Sequence, residues 1–206
     1  MQALVYEKIE YTRSDHTNNI LEVIVIKSIE ILVEEHKYIK MVLGEIRRQC
    51  VSIVHGGEVN YRQFYDVIDF VRNFADKYHH KKEEDRLFNI MTEQLGLSPV
   101  SGPVVGMLVE HDMGRAHIMD LEKALKECEK GNSDAKVDII AHAIGYEQLL
   151  LKHIDKEDNA IYRHAERSLP KETLEKLDTE FEAVEQDSEN AAIRDKYMEF
   201  AKSLQR

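Results

Sequence analysis

The sequence predicts an all-α fold: an antiparallel up-down-up-down four-helix bundle with additional C-terminal helices. Three observations carry that expectation. Only 9 Gly and 3 Pro occur in 206 residues, too few turn formers for a sandwich or barrel. The turn signals that do occur lie far apart, at Gly56-Gly57, from Gly96 to Pro103, and from Gly131 to Asp134. Between them, apolar residues recur at three- and four-residue steps, the pattern of amphipathic helices. Long helices joined by short connections close as antiparallel neighbours.

The first helix is expected from about Asn19 to Val54, the second from Tyr61 to Leu95, the third from Pro103 to Lys130, and the fourth from Asp134 to Ser168. Pro103 suits a first helical turn, where its missing N–H is no loss, and Asp134 suits an N-cap. After Leu169-Pro170, a stripe of Leu174, Leu177, Phe181 and Val184 marks a further, acidic helix. A shorter one, about Ala191 to Leu204, carries Ile193, Tyr197, Phe200 and Leu204. These stripes are expected to pack back on the bundle; the alternative is a surface for a second copy or another protein partner. The chain thus divides into a polar arm (1–18), a bundle (19–169) and a helical extension (170–206).

Composition narrows the function. Lys and Arg number 28 against 39 Asp and Glu, a formal charge of −11, so phosphate backbones are repelled and nucleic acid is not an expected partner. No apolar run approaches the length of a membrane span. The start, MQALVYEKIEYTRSDH, has no basic segment followed by an apolar one, so the expected location is cytoplasmic. Cys50 and Cys128 stand alone, which excludes a disulfide framework or a thiolate zinc knuckle. Ten histidines remain to be explained.

Six of the residues that explain them sit in an internal repeat. Residues 79–88 read HHKKEEDRLF and residues 153–162 read HIDKEDNAIY. Both fit H-x-x-K-E-[ED]-x-x-[LI]-[FY], on the second and fourth helices. A lone histidine precedes each on the previous helix, His36 by 43 residues and His111 by 42. Equal climbs on either side of the Gly57 and Gly131 turns return the chain to one level, so His36, His79, His111 and His153 share a layer. His36 lies in the apolar stripe of Leu32 and Ile39, and His79 and Glu83 continue Val71 and Ala75. His153 and Glu157 continue Leu149 and Leu150. His80 and Glu84 share a face with Arg72, Asn73 and Asp76, which reads as solvent. His16, His55, His80, His117, His142 and His164 fall outside the repeat and are expected at the surface or behind the site.

Two carboxylates buried without partners would cost several kcal/mol or become protonated. Cations explain them better. Nitrogen and oxygen donors without thiolate suit iron, manganese or zinc. Six side chains can give each of two metals two imidazoles and a share of two bridging glutamates. A bridging oxide or hydroxide would then leave one coordination position open on each metal.

The segments EEHKYI, HHKKEEDRLF, GPVVGMLVEHDMGRAHI and LLLKHIDKEDNAIY, in this order and spacing, resemble the hemerythrin-like (HHE cation-binding) domain. The resemblance implies a non-haem di-iron site, with two oxo- or hydroxo-bridged iron ions rather than zinc or manganese. Its implied metal ligands are His36, His79, Glu83, His111, His153 and Glu157. Oxygen-carrying hemerythrins place a fifth histidine four residues after the one on the third helix, where this chain has Arg115. That departure moves the expectation from reversible oxygen carriage toward binding or reaction of oxygen, peroxide or nitric oxide, with Arg115 either bonding a bound anion or held in a surface ion pair. The alternative is a non-catalytic iron-binding or sensing module that acts through a protein partner. Whether the chain is an enzyme stays open at this point.

Overall fold

The computed structural model describes residues 26–205, and among these no strand occurs. Six helical rods follow one another. α1 is Lys27–Val54. α2 runs without a break through Tyr61–Phe70, Val71–His80, Glu83–Phe88 and Asn89–Leu95. α3 is Pro103–Glu129. α4 joins Ala135–Lys156, Glu157–Ile161 and Tyr162–Ser168. α5 is Lys171–Gln186 and α6 is Ser188–Ser203. The first four form the antiparallel bundle.

Local chemistry sets most of the ends. Asn60 Oδ1 accepts the backbone N–H of Gln63 and so caps α2. Pro103 opens α3 as expected. Gly96 ends α2 with φ of 63°, a left-handed conformation that costs glycine little. Asp187 caps α6 by accepting from Glu189 and Asn190. Asp134 holds the expected N-cap position of α4 but makes no capping bond; Asn132 Oδ1 accepts the Asp134 N–H instead. α1 begins at Lys27, after an extended Ile26, and the expected start at Asn19 and the N-terminal arm lie outside the described residues.

The stripe on α5 is buried inside the chain: Leu174, Leu177 and Phe181 pack with Leu87, Met107 and Ile161. On α6, Tyr197 and Ala201 join Phe70 and Phe74 of α2. The core therefore falls into two apolar clusters. One holds Leu43, Ile46, Phe64, Leu121, Leu125 and Ile139; the other holds Leu32, Phe88, Met91, Val104, Tyr162 and Phe181. Between them lies a layer of buried histidine and glutamate.

At that layer the two motif-bearing rods depart from α-helical winding. Val71–His80, Glu83–Phe88 and Glu157–Ile161 are π-helical. An i→i+5 ladder puts more residues into each turn, so neighbours in sequence are rotated less than the 100° of an α-helix. π turns are rare and concentrate at functional sites.

Candidate metal centre

All four motif histidines meet in the layer, as their spacing predicts. His36 and His79 bring their Nε2 atoms to 3.0 Å, and so do His111 and His153. Every one of the four rings is essentially inaccessible to solvent.

Their other nitrogens explain why they point inward. His36 Nδ1 donates to Asp158 at 2.7 Å and His79 Nδ1 to Glu35 at 2.8 Å. His111 Nδ1 donates to Glu84 at 2.7 Å and His153 Nδ1 to Glu110 at 2.9 Å. An ionised carboxylate only accepts, so it fixes the proton on Nδ1 and leaves a lone pair on Nε2. Two such lone pairs facing each other at 3.0 Å repel unless a proton or a metal lies between them. With metal–nitrogen bonds of about 2.1 Å, adjacent ligands at a right angle would be about 3.0 Å apart.

Each orienting carboxylate is in turn held by a cation. Lys82 binds Glu35 and Lys156 binds Glu110. Lys40 reaches Asp158 at 3.1 Å and Arg115 reaches Glu84 at 2.7 Å. The repeat is thereby explained position by position. Its Lys secures the carboxylate one residue before the lone histidine of the same hairpin. Its [ED] residue holds the histidine of the opposite hairpin. Lys40 and Arg115 occupy matching places, four residues after His36 and His111. The sequence reading assigned none of these supports, although their recurrence in both halves was the available signal.

Glu83 and Glu157 stand inside this ring with no cation of their own. Glu157 Oε1 lies 3.0 Å from His153 Nε2, and its Oε2 lies 3.3 Å from His36 Nε2. One oxygen therefore faces each histidine pair, yet neither is aligned for a hydrogen bond. Glu83 Oε2 is 3.6 Å from both His79 and His111 Nε2 and also lacks a partner. Glu83 Oε1 accepts from the Tyr162 hydroxyl. Burial and the neighbouring Glu157 raise the Glu83 carboxyl well above its ordinary range. Burial pushes Glu157 the same way, but the imidazoles of His111, His153 and His36 outweigh it and hold the carboxyl low. The two carboxyls are thus pushed in opposite directions, as expected when two carboxylates share a dry site.

Tyr162 is a further contributor not assigned from the sequence. Its ring stacks on His36 at 5.7 Å, just as Phe88, its counterpart in the repeat, stacks on His111 at 6.1 Å. Since Phe fits the equivalent place, Tyr162→Phe should remove only the hydroxyl. The metal-free variant is expected to lose about 1–3 kcal/mol, the cost of leaving a buried Glu83 oxygen without its donor, measured by urea unfolding.

One expectation is corrected. His80 does not face solvent; it is 5% exposed and stacks on His111 with centroids 3.7 Å apart. The π winding of Val71–His80 turns both His79 and His80 inward. For Arg115 the ion-pair alternative holds in place of the anion contact, because Asp76, Asp112 and Glu84 all engage its guanidinium. Of the remaining histidines within the described residues, His55 and His164 are exposed, and His117 and His142 are half-buried and away from the layer. His16 lies outside the described residues. Tyr146 is buried in the bundle.

Two groups of donor atoms are compact enough to hold a cation: His36, His79, Glu83 and Glu157, and His80, His111 and His153, each within 4.8 Å. The donor set, the orphaned carboxylate oxygens and the outward-anchored imidazoles together define a helical-bundle metal-binding protein. The profile of the hemerythrin HHE cation-binding domain matches residues 27–165. The chain belongs to that family. No curated protein and no solved structure matches it.

Proposed function

We propose that the chain is a non-haem di-iron protein whose open coordination position takes oxygen, peroxide or nitric oxide. The observation that carries this reading is the charge arrangement of the layer. Four orienting carboxylates are matched by Lys40, Lys82, Arg115 and Lys156, whereas Glu83 and Glu157 between the histidine pairs have no lysine or arginine beside them among the described residues and leave three oxygens without a hydrogen bond. His36, His79, Glu83 and Glu157 would hold one metal, and His111 and His153 the other, with the two glutamates shared. Nitrogen and oxygen donors suit iron, and bound iron would supply a redox change and an exchangeable coordination position.

The rest of the work belongs to the protein. The carboxylates keep each Nε2 lone pair aimed into the layer, and accepting the Nδ1 proton raises the basicity of each ring as a ligand. Tyr162 donates a hydrogen bond to Glu83 and so fixes which of its oxygens faces the histidines. The apolar clusters above and below keep bulk water out, which strengthens charge interactions inside.

One feature favours the sensing alternative. His79 is linked through Glu35 and Lys82 to Glu185 of α5, which lies 2.9 Å from Lys82 and also takes Arg194 of α6 at 3.0 Å. Metal occupancy at His79 has a polar route to both C-terminal helices. Stopped-flow mixing of the reduced, iron-loaded protein with oxygen, hydrogen peroxide and nitric oxide separates the readings. Turnover of any of the three marks an enzyme, and a single stoichiometric absorbance change marks a binder or sensor. No absorbance change with any of them would contradict the proposed reactivity.

A further inference from the structure

The two halves of the layer differ at one buried polar position. Superposing the repeat by number pairs His79 with His153, Lys82 with Lys156, Glu83 with Glu157 and Glu84 with Asp158. The same offset pairs His80 with Ile154, which is 1% exposed. A core position filled by isoleucine in one half thus holds an imidazole in the other. Burying a polar ring at such a place is costly unless its nitrogens are bonded. Neither nitrogen of His80 has a hydrogen-bond partner. The nearest carboxylate oxygen, Oδ1 of Asp76, is 3.7 Å from Nδ1, beyond hydrogen-bond reach.

The ring is also placed where a ligand is short. The His36/His79 side has both glutamates within its compact donor group, while the other group consists of imidazoles alone: His80, His111 and His153. Glu157 Oε1 is 3.9 Å from His111 Nε2, and Glu83 Oε2 is 3.6 Å from it. We propose that His80 is a third imidazole ligand for the metal on the His111/His153 side, making the two metal positions chemically unequal. This inference rests on the dinuclear reading above. Ligation turns the His80 ring out of its stack on His111, and no hydrogen bond has to break for it to do so. The other four rings are anchored by an Nδ1–carboxylate bond, whereas His80 Nδ1 lies 3.7 Å from Asp76 Oδ1 and makes none.

The test uses full-length protein labelled with ¹⁵N-histidine and loaded with Zn(II), a diamagnetic stand-in for the iron. Long-range ¹H–¹⁵N spectra distinguish metal-bound from free imidazole nitrogens. The proposal expects five metal-bound rings in the wild-type protein, with the fifth signal missing in His80→Ile. That substitution installs the residue of the matching half, so the fold has a precedent for it. Zinc titration should show one of two sites weakened by at least the roughly 10- to 100-fold that losing a supporting partner costs a metal site. Four metal-bound rings in the wild type, or equal two-site affinity in the variant, would overturn the role of His80 while leaving the dinuclear centre intact. No metal-bound ring in the wild type would overturn both.

Discussion

Lys82→Met is expected to destabilise the protein by about 3–5 kcal/mol at pH 8, the cost of leaving a buried charge without its partner. Lys82 is 1% exposed and neutralises two carboxylates at once, Glu35 on α1 and Glu185 on α5. Its ammonium also lies 3.9 Å from the centre of the Tyr78 ring. Methionine replaces the aliphatic stem but none of the charge. Burial pushes the Glu35 carboxyl up to about 7 even with Lys82 beside it, so removing the ammonium raises it further. The sign follows from linkage: a carboxyl that binds its proton more tightly when folded favours the folded state below the unfolded pKa and loses that contribution as pH rises through the folded one. The deficit of Lys82→Met should therefore be largest at pH 8 and shrink as pH falls toward 5. Guanidinium unfolding at the two pH values checks this, and Glu35→Gln in the same chain should restore part of the loss at pH 8. The equivalent Lys156→Met should cost much less, because Lys156 is 43% exposed and solvent screens its pair with Glu110.

Glu83→Gln is expected to do the reverse: to leave the metal-free fold nearly unchanged while weakening metal binding severely. The amide matches the carboxyl in shape, and its carbonyl can still accept from Tyr162. Burial beside Glu157 already favours the neutral form of Glu83 without metal, so little charge is lost there. A change within about 1 kcal/mol in metal-free stability is expected, since a satisfied, shape-conserving swap at a neutral site removes no net interaction. With metal the balance changes, because a neutral amide is a far poorer ligand than a carboxylate. Wild-type protein at a free-metal concentration 1,000 times its Kd gains about 4.1 kcal/mol from binding. Most of that increment should vanish in Glu83→Gln, read as the difference between thermal unfolding with and without metal. A variant that unfolds without metal like wild type and also keeps the full metal increment would show that Glu83 is not a metal ligand.

The bundle and its centre were legible to different depths. Turn residues far apart and apolar steps of three and four placed the second helix end to end, from Tyr61 to Leu95, because Asn60 and Gly96 bound it with local chemistry. The six residues of the layer were legible because each hairpin repeats them at matching heights. His80 was not, since its face was judged by α-helical angles and the chain winds as a π-helix there. The outer carboxylates recur beside the ligands in sequence, but each serves a histidine on another helix. Only the packed bundle shows that Glu84 reaches His111 and Asp158 reaches His36. Arg115 stayed open between two roles for the same reason: it stands where a ligand is replaced and is the counterpart of Lys40.

The burial of Lys82 likewise depends on α5, which no local pattern on α2 announces. Cys50 and Cys128 lie buried in the apolar cluster that holds Leu43 and Phe64, and neither forms a disulfide.

In the proposed centre, Glu83 and Glu157 are matched by metal cations held between two histidine pairs. Elemental analysis of the full chain, expressed in iron-supplemented medium and freed of loosely bound metal, tests it most directly. About two iron atoms per chain are expected from two such donor groups, falling to almost none in Glu83→Ala/Glu157→Ala. Wild-type protein that retains no metal, or a double variant that retains as much as wild type, would contradict the account.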